Sequence, residues 1–219
     1  MQEQLKTNKS MTAFIDEIEI GQAKALIKKY HYLGDKGFLF KVGFGLFLDN
    51  EMIGAAVYHG PSAPETVVGA FGLNRNDQNG FWELGRLVLN PERNGANFGS
   101  MLIGRSLKIL KKKYGCRAIM TYADSNKHHG AIYQATNFTY CGLTNVKKDF
   151  YLSNGTKIER GKTKNLEGEW KDRPQKHRYV IVYDKKLQLL WPVLAYLKKD
   201  MLPKEQKVVL ENTNQLQLI

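Results

Sequence analysis

The sequence predicts an α/β fold, on three observations. From residue 80 to residue 146 the order is strand, Gly/Asn-rich loop, helix, strand, helix, strand, and strands joined by helices imply parallel pairing. "SMLIGRSLKILKKKYG" carries Ile103, Leu107, Leu110 and Tyr114 as one apolar stripe, with Arg105, Lys108, Lys111 and Lys112 on the wet face. A chain of 219 residues that is 42% hydrophobic and 11% aromatic can bury a sizeable core, as one large domain or one domain with an elaboration.

Residues 1–12 are polar and expected to fray. In "DEIEIGQAKALIKKYHYLG", Ile18, Ala23, Leu26 and Ile27 recur at helical spacing, which predicts a helix over 21–30. "FLFKVGFGLFLDNEMIGAAVYHG" gives two strands turning at Asn50; Leu46 and Leu48 share one face with Phe47 on the other, so both faces are expected to be buried. "PSAPETVVGAFGLNRNDQNG" is rich in Pro, Gly and Asn and predicts an irregular loop. "GFWELGRLVLN" is a strand, "PERNGANFGS" a loop, and the helix after it ends at the C-cap candidate Gly115. "CRAIMTYA" is a strand, "HHGAIYQATN" a helix, "TYCGLTNV" a strand.

Beyond residue 146 the composition shifts. Sixteen Lys/Arg stand against eight Asp/Glu from 147 to 207, an excess of eight out of the chain's +12. "GKTKNLEGEWKDRPQKHRY" has few apolar anchors and predicts a loop or extended arm, "YVIVY" a strand, and "QLLWPVLAYLKKDM" an apolar segment broken at Pro192. There is no internal repeat. The expected organisation is a flexible N-terminus over 1–12, a core over 13–146 and a basic extension over 147–219 packed on it, its last residues mobile.

A pI near 9.5 points to a polyanionic partner, most often nucleic acid, though phosphate-bearing cofactors and anionic membranes also suit a basic surface. No apolar run approaches the roughly 20 residues a membrane span needs, and the N-terminus lacks a signal-peptide core. Cys116 and Cys141 make no disulfide framework. The expectation is a soluble, cytoplasmic protein with reduced thiols, a monomer or a homodimer.

A loop feeding a helix N-terminus is a natural phosphate site, and Asn94, Gly95, Asn97, Gly99 and Ser100 lie on it; a Gly-rich turn that merely starts the helix is the alternative. A nucleotide P-loop is excluded, since no Gly-Lys-Ser/Thr follows. His128 and His129 are adjacent, so on a helix they diverge by about 100°, and no third ligand has useful spacing. No metal is expected.

The strand order, the Gly-rich loop, and Asn126, Tyr133 and Phe138 at their mutual spacing resemble the GNAT acyltransferases. That resemblance implies a central mixed, twisted sheet flanked by helices, with acetyl-CoA or another acyl donor held by the loop and by Asn126. The match of "RNGANFG" to the GNAT loop pattern is loose. A narrower resemblance runs over roughly residues 30–180. "YHYLG", "ELGRLVLN", the Asn-rich loop ending in Ser, "YADS", "GAIYQATNFTYCG" and "KHRYV" are similar to the Mom DNA-modification proteins of Mu-like bacteriophages. It implies an enzyme that places a methylcarbamoyl-type group on N6 of adenine in double-stranded DNA, shielding phage DNA from host restriction, and it makes site residues of Arg86, otherwise a surface arginine or a doubtful partner of Glu83, and of Ser100, otherwise a helix N-cap.

Tyr133 is either a core tyrosine or a phenol that protonates a departing thiolate or positions the acyl carbonyl. Asp124 ends a strand, where open sheets place ligands; it either caps the next helix or, if Ser125 or Asn126 caps instead, accepts the N6 proton. Ser125 is expected beside it. His31 and Tyr32 are helix-end packing or a rim that stacks an extruded base. Lys171 and the run Lys176, His177, Arg178 and Tyr179 would follow a phosphate backbone and touch DNA. Two other functions stay open: acetylation of a protein, aminoacyl-tRNA or small-molecule amine, and nucleic-acid binding without catalysis.

Overall fold

The computed structural model describes residues 12–95, 97–159 and 161–197. The frayed end expected at 1–11 and the tail from 198 onward lie outside the described residues. Fourteen elements follow one another. They are β1 (Ala13–Ile18), α1 (Ile20–Tyr30), β2 (Val42–Leu48), β3 (Glu51–His59), α2 (Glu65–Phe71), β4 (Phe81–Leu89), α3 (Phe98–Lys113), β5 (Ala118–Asp124), α4 (Ala131–Ala135), β6 (Thr139–Leu143), β7 (Lys147–Leu152), β8 (Lys157–Ile158), β9 (Gly168–Arg173) and β10 (Lys176–Val182).

Seven strands form one mixed sheet in the order β1-β2-β3-β4-β5-β10-β6, and β8-β7-β9 form a small second sheet. Only β4 and β5 pair in parallel; every other neighbour is antiparallel. Asp49 and Asn50 both take positive φ, the geometry that lets a two-residue turn match strand twist, so β2 and β3 meet as expected.

Alternation along β3 sorts the layers. Ala56 and Tyr58 pack with Leu102, Ile103, Leu107 and Leu110 of α3, whereas Ala55 and Val57 pack with Ala23 and Ile27 of α1. α2 covers the α1 face further along, through Val67, Ala70 and Phe71 against Phe81, Ala118 and Met120. The α3 stripe is as predicted, and Gly115 follows the helix with positive φ.

Four expectations need correction. Ile18 is the last residue of β1, not the first of a helical stripe; β1 is an edge strand in which Ile18 alone is buried, so its sequence gives no apolar alternation. The stretch expected to be an irregular loop holds α2, a seven-residue helix between Pro64 and the left-handed Gly72, too short to show a period. The helix expected over 128–137 begins only at Ala131, because Gly130 turns the chain there with φ 83°. The predicted arm contains β9, and the strand expected at "YVIVY" begins three residues earlier, at Lys176.

β10 lies between β5 and β6, in the interior of the main sheet. The apolar segment after it stays irregular. It crosses the α2 end and the β6 edge through Leu190 N–H to the Ala70 carbonyl (2.8 Å) and Leu194 N–H to the Tyr140 carbonyl (3.0 Å).

Candidate active site

β4 and β5 pair only from Phe81↔Ala118 to Leu84↔Thr121. Past that point β4 continues along β3, as far as Gly54↔Leu89, and β5 continues along β10, to Lys176↔Asp124. The two parallel strands therefore diverge, and a gap opens at their C-terminal ends, where α/β sheets place ligands. Thr121 Oγ1 donates to the Leu84 carbonyl (3.0 Å) and closes the last rung before the gap.

β4 bears a bulge at the same place: Leu84 faces Tyr58, Arg86 faces Val57, and Gly85 is the extra residue. Any side chain at Gly85 would run into the His59 imidazole, which is buried and bonded to the Gly60 carbonyl. Without a bulge, positions 83 and 86 would point to opposite faces; with it, Glu83 and Arg86 share the α1/α2 face. They do not pair. Glu83 accepts the Ser62 amide (3.0 Å), and Arg86 donates to the carbonyls of Gly85 (2.7 Å) and Lys36 (2.8 Å). The Arg86 Nε is buried without a partner.

Tyr133 stands on α4 behind the gap, only 6% exposed, its ring against Phe138 and Tyr179. Burial raises its pKa, opposed by a Thr121 hydrogen bond, with Tyr32 adding to the rise, so the phenol holds its proton at neutral pH. Around the gap the remaining polar groups sense one another. The His31 imidazole is pushed down to about 4 by burial, then by Arg86 and His128. Tyr32, 52% exposed and stacked on His31 with centroids 4.6 Å apart, is raised by burial and by Asp124 and lowered by Arg86. His128 is lowered by burial and raised by Asp124. Arg86, Asp124, Tyr133, His31 and Tyr32 thus gather from β4, β5, α4 and the segment after α1, and His128 joins them.

Asp124 makes the turn itself: its Oδ1 accepts the Asn126 amide (3.0 Å), and its carbonyl accepts the amides of Lys127 and His128. Neither Ser125 nor Asn126 caps α4, whose N-cap is Gly130. Ser125 is half-buried, with its amide on the Gln175 carbonyl (3.1 Å), and Asn126 is exposed.

The loop before α3 fits an anion in part. The first turn of a helix offers amides that lack intrahelical partners, and the 16-residue α3 points that end at the loop. Asn97 caps it in the left-handed region, and Ser100 Oγ donates to the Asn97 carbonyl (3.0 Å). Asn94 Oδ1 is buried without a partner. A Cβ on Gly95 would press on Phe98, and one on Gly99 on Ile132 of α4, so packing accounts for both glycines.

A profile described as the Mom protein family matches residues 12–204, nearly the whole chain. The chain belongs to the Mom family. No curated protein matches it in sequence. Among solved structures, the polyamine N-acetyltransferase of Drosophila melanogaster is 12% identical with a TM-score of 0.53, over 78% of this chain and all of that one. The ribosomal-protein-S18-alanine N-acetyltransferase of Escherichia coli is 12% identical with a TM-score of 0.48, over 85% and 99% of the two chains. A GNAT acetyltransferase from Elizabethkingia anophelis, solved with acetyl-CoA bound, is 13% identical with a TM-score of 0.47, over 78% and 98%. At 12% identity the likeness to the Drosophila enzyme is one of fold: this Mom-family chain has the fold of that N-acetyltransferase.

Of the basic run expected to touch DNA, only Lys176 is an exposed side chain. His177 is buried, with Nδ1 on the Tyr140 hydroxyl (2.9 Å). Arg178 donates to the Cys141 carbonyl (2.9 Å) and stacks over Trp191. Tyr179 is fully buried and donates to the His129 carbonyl. These three hold β10, β6 and the α4 turn together, so their polar atoms are spent inside the fold. Lys171 is exposed on β9 but is paired with Glu169 (2.6 Å). No group of three or more potential metal ligands occurs among the described residues, and no helix there is long and apolar enough to cross a membrane. Motif reading passed over His59 and Gly85 and weighed Glu83 only as a doubtful partner of Arg86: a lone residue inside a strand carries no spacing signal.

Proposed function

We propose that this Mom-family chain is a transferase that moves an acyl or carbamoylmethyl-type group from a coenzyme A-type donor to N6 of adenine in DNA, protecting phage DNA from host restriction. The observation that carries the reading is the gap between β4 and β5, with Tyr133 buried behind it and Arg86, Asp124, His31 and Tyr32 at its mouth. The amides at the start of α3, with Asn94 and Ser100, would hold the donor's pyrophosphate, and the donor would supply an activated carbon.

The chain's own groups divide the remaining work. An exocyclic aryl amine is a poor nucleophile, since its lone pair is delocalised into the ring. Asp124 accepts the amine proton, while Oδ1 also holds the turn. Tyr133, kept neutral by burial, gives a proton to the leaving atom. Arg86, fixed by two carbonyls, puts a positive charge beside the charge that develops. His31 and Tyr32 form the rim past which an extruded base enters.

Mass spectrometry of nucleosides from the DNA of cells expressing the chain tests the reading. A modified deoxyadenosine, absent without the chain, is expected. Unmodified DNA together with acetylated protein, tRNA or polyamine would replace the reading with an ordinary amine acetyltransferase.

A further inference from the structure

Beside the gap, on the α1/α2 face, lies a cavity of about 220 Å³. Tyr122, Glu83, Ser62, Thr66, Lys147 and Lys176 line it. It adjoins the mouth described above, because Lys176 is the register partner of Asp124 and Tyr122 stands two residues before Asp124 on the same strand face.

Glu83 is the unusual group. It is 8% exposed, accepts one hydrogen bond, from the Ser62 amide, and pairs with no cation among the described residues. A buried carboxylate with spare acceptor capacity is costly unless a donor meets it. Tyr122 offers a half-buried ring close enough for Glu83 to raise its pKa, which burial mainly pushes up to about 12. Lys147 and Lys176 are exposed, and neither forms an ion pair among the described residues.

We propose that this cavity receives the extruded nucleobase, an amine-bearing heterocycle whose ring lies on Tyr122, whose exocyclic N–H meets Glu83, and whose flanking phosphates rest on Lys147 and Lys176. The inference rests on the DNA-acceptor reading and deepens it. A carboxylate welcomes the amine of adenine and repels the carbonyl that thymine presents at the same edge. Thr66 supplies a hydroxyl that can serve a ring nitrogen.

The test uses the full chain and two labelled single strands of equal length, oligodeoxyadenylate and oligothymidylate. Single strands remove the extrusion step. We expect the adenylate to bind about tenfold or more tightly, as one well-placed base contact provides. Glu83→Gln should bring the two within about twofold while leaving thymidylate binding unchanged. Lys147→Ala with Lys176→Ala should weaken both strands alike. A preference that survives Glu83→Gln, or no preference in the unmodified chain, overturns the cavity assignment and leaves the DNA reading standing. Failure of both strands to bind sinks that reading and this one with it. If Glu83→Gln does not fold, an azido-adenine strand photo-cross-linked to the unmodified chain decides: attachment at residues 62–66 or at Tyr122 supports the assignment, and attachment confined to His31 and Tyr32 refutes it.

Discussion

One substitution separates the turn that Asp124 holds from the proton acceptance proposed for it. Its Oδ1 organises the turn after β5, and Asn retains an oxygen there. Asp124→Asn should therefore leave melting temperature and DNA binding near normal while removing a proton acceptor. Tyr133→Phe keeps the packing against Phe138 and Tyr179 and loses one hydroxyl, about 1 kcal/mol of stability. General acid–base groups contribute roughly 10²- to 10⁴-fold to rate, so modified deoxyadenosine in plasmid DNA should fall at least that far in each variant. Wild-type modification in both would show that the two residues serve structure only. Histidines set a second expectation. His31 and His177 are held at about 4 in the folded chain, against 6.5 for the free side chain, by burial first and then by charged or histidine neighbours. The unfolded chain then binds more protons between those values, so stability falls as pH drops from about 6.5 toward 4. Thermal melting from pH 7 to pH 5 should show the loss, and His177→Gln should flatten it.

At the scale of elements, the apolar period of α3 and the hairpin of β2 and β3 were legible because many residues repeat one signal. Tyr133 was legible through its spacing to Asn126 and Phe138. The bulge was not: it is one extra residue, visible only when β3 is laid beside β4. Yet it decides which way Arg86 faces. Gly85→Ala should press on the buried His59, cost about 1–3 kcal/mol as overpacking does, and disturb the face that Arg86 shares with Glu83; calorimetry alongside the modification assay would register both. β9 and the first three residues of β10 were hidden for a different reason. The stretch "GKTKNLEGEWKDRPQKHRY" is hydrophilic with few apolar anchors and so reads as a loop or arm, whereas His177 and Tyr179 are buried and Lys176 is the exposed cation of the run.

For the whole molecule, the cations beyond residue 146 are less free than the sequence suggests. On the small sheet, Lys148, Lys157, Lys171 and Arg173 all pair with acids, and Asp149, held well below the usual carboxylate range by Arg173 and then Lys157, ties two of them down. DNA affinity should still fall steeply with salt, since phosphate neutralisation dominates such binding. Lys176→Ala should weaken it with an unchanged melting temperature. Arg178→Ala should instead lower the melting temperature, because that guanidinium holds the Cys141 carbonyl and Trp191. Titrations at two salt concentrations beside melting curves would separate the two, and equal behaviour of the two variants would contradict the division.

The place of β10 between β5 and β6 bears on how the chain comes to be folded at all. As the polypeptide leaves the ribosome, β5 and β6 are complete some thirty residues before the strand that joins them. Until β10 arrives, the sheet has an open seam between β5 and its last strand, and β5 presents an unpaired edge next to the Asp124 turn, the kind of edge that recruits other chains. Closing the seam is a long-range event, slow by its topology. A nascent Mom-family chain stopped at residue 146 should aggregate instead of folding as a smaller enzyme, and supplying residues 147–197 as a separate peptide during refolding should rescue it.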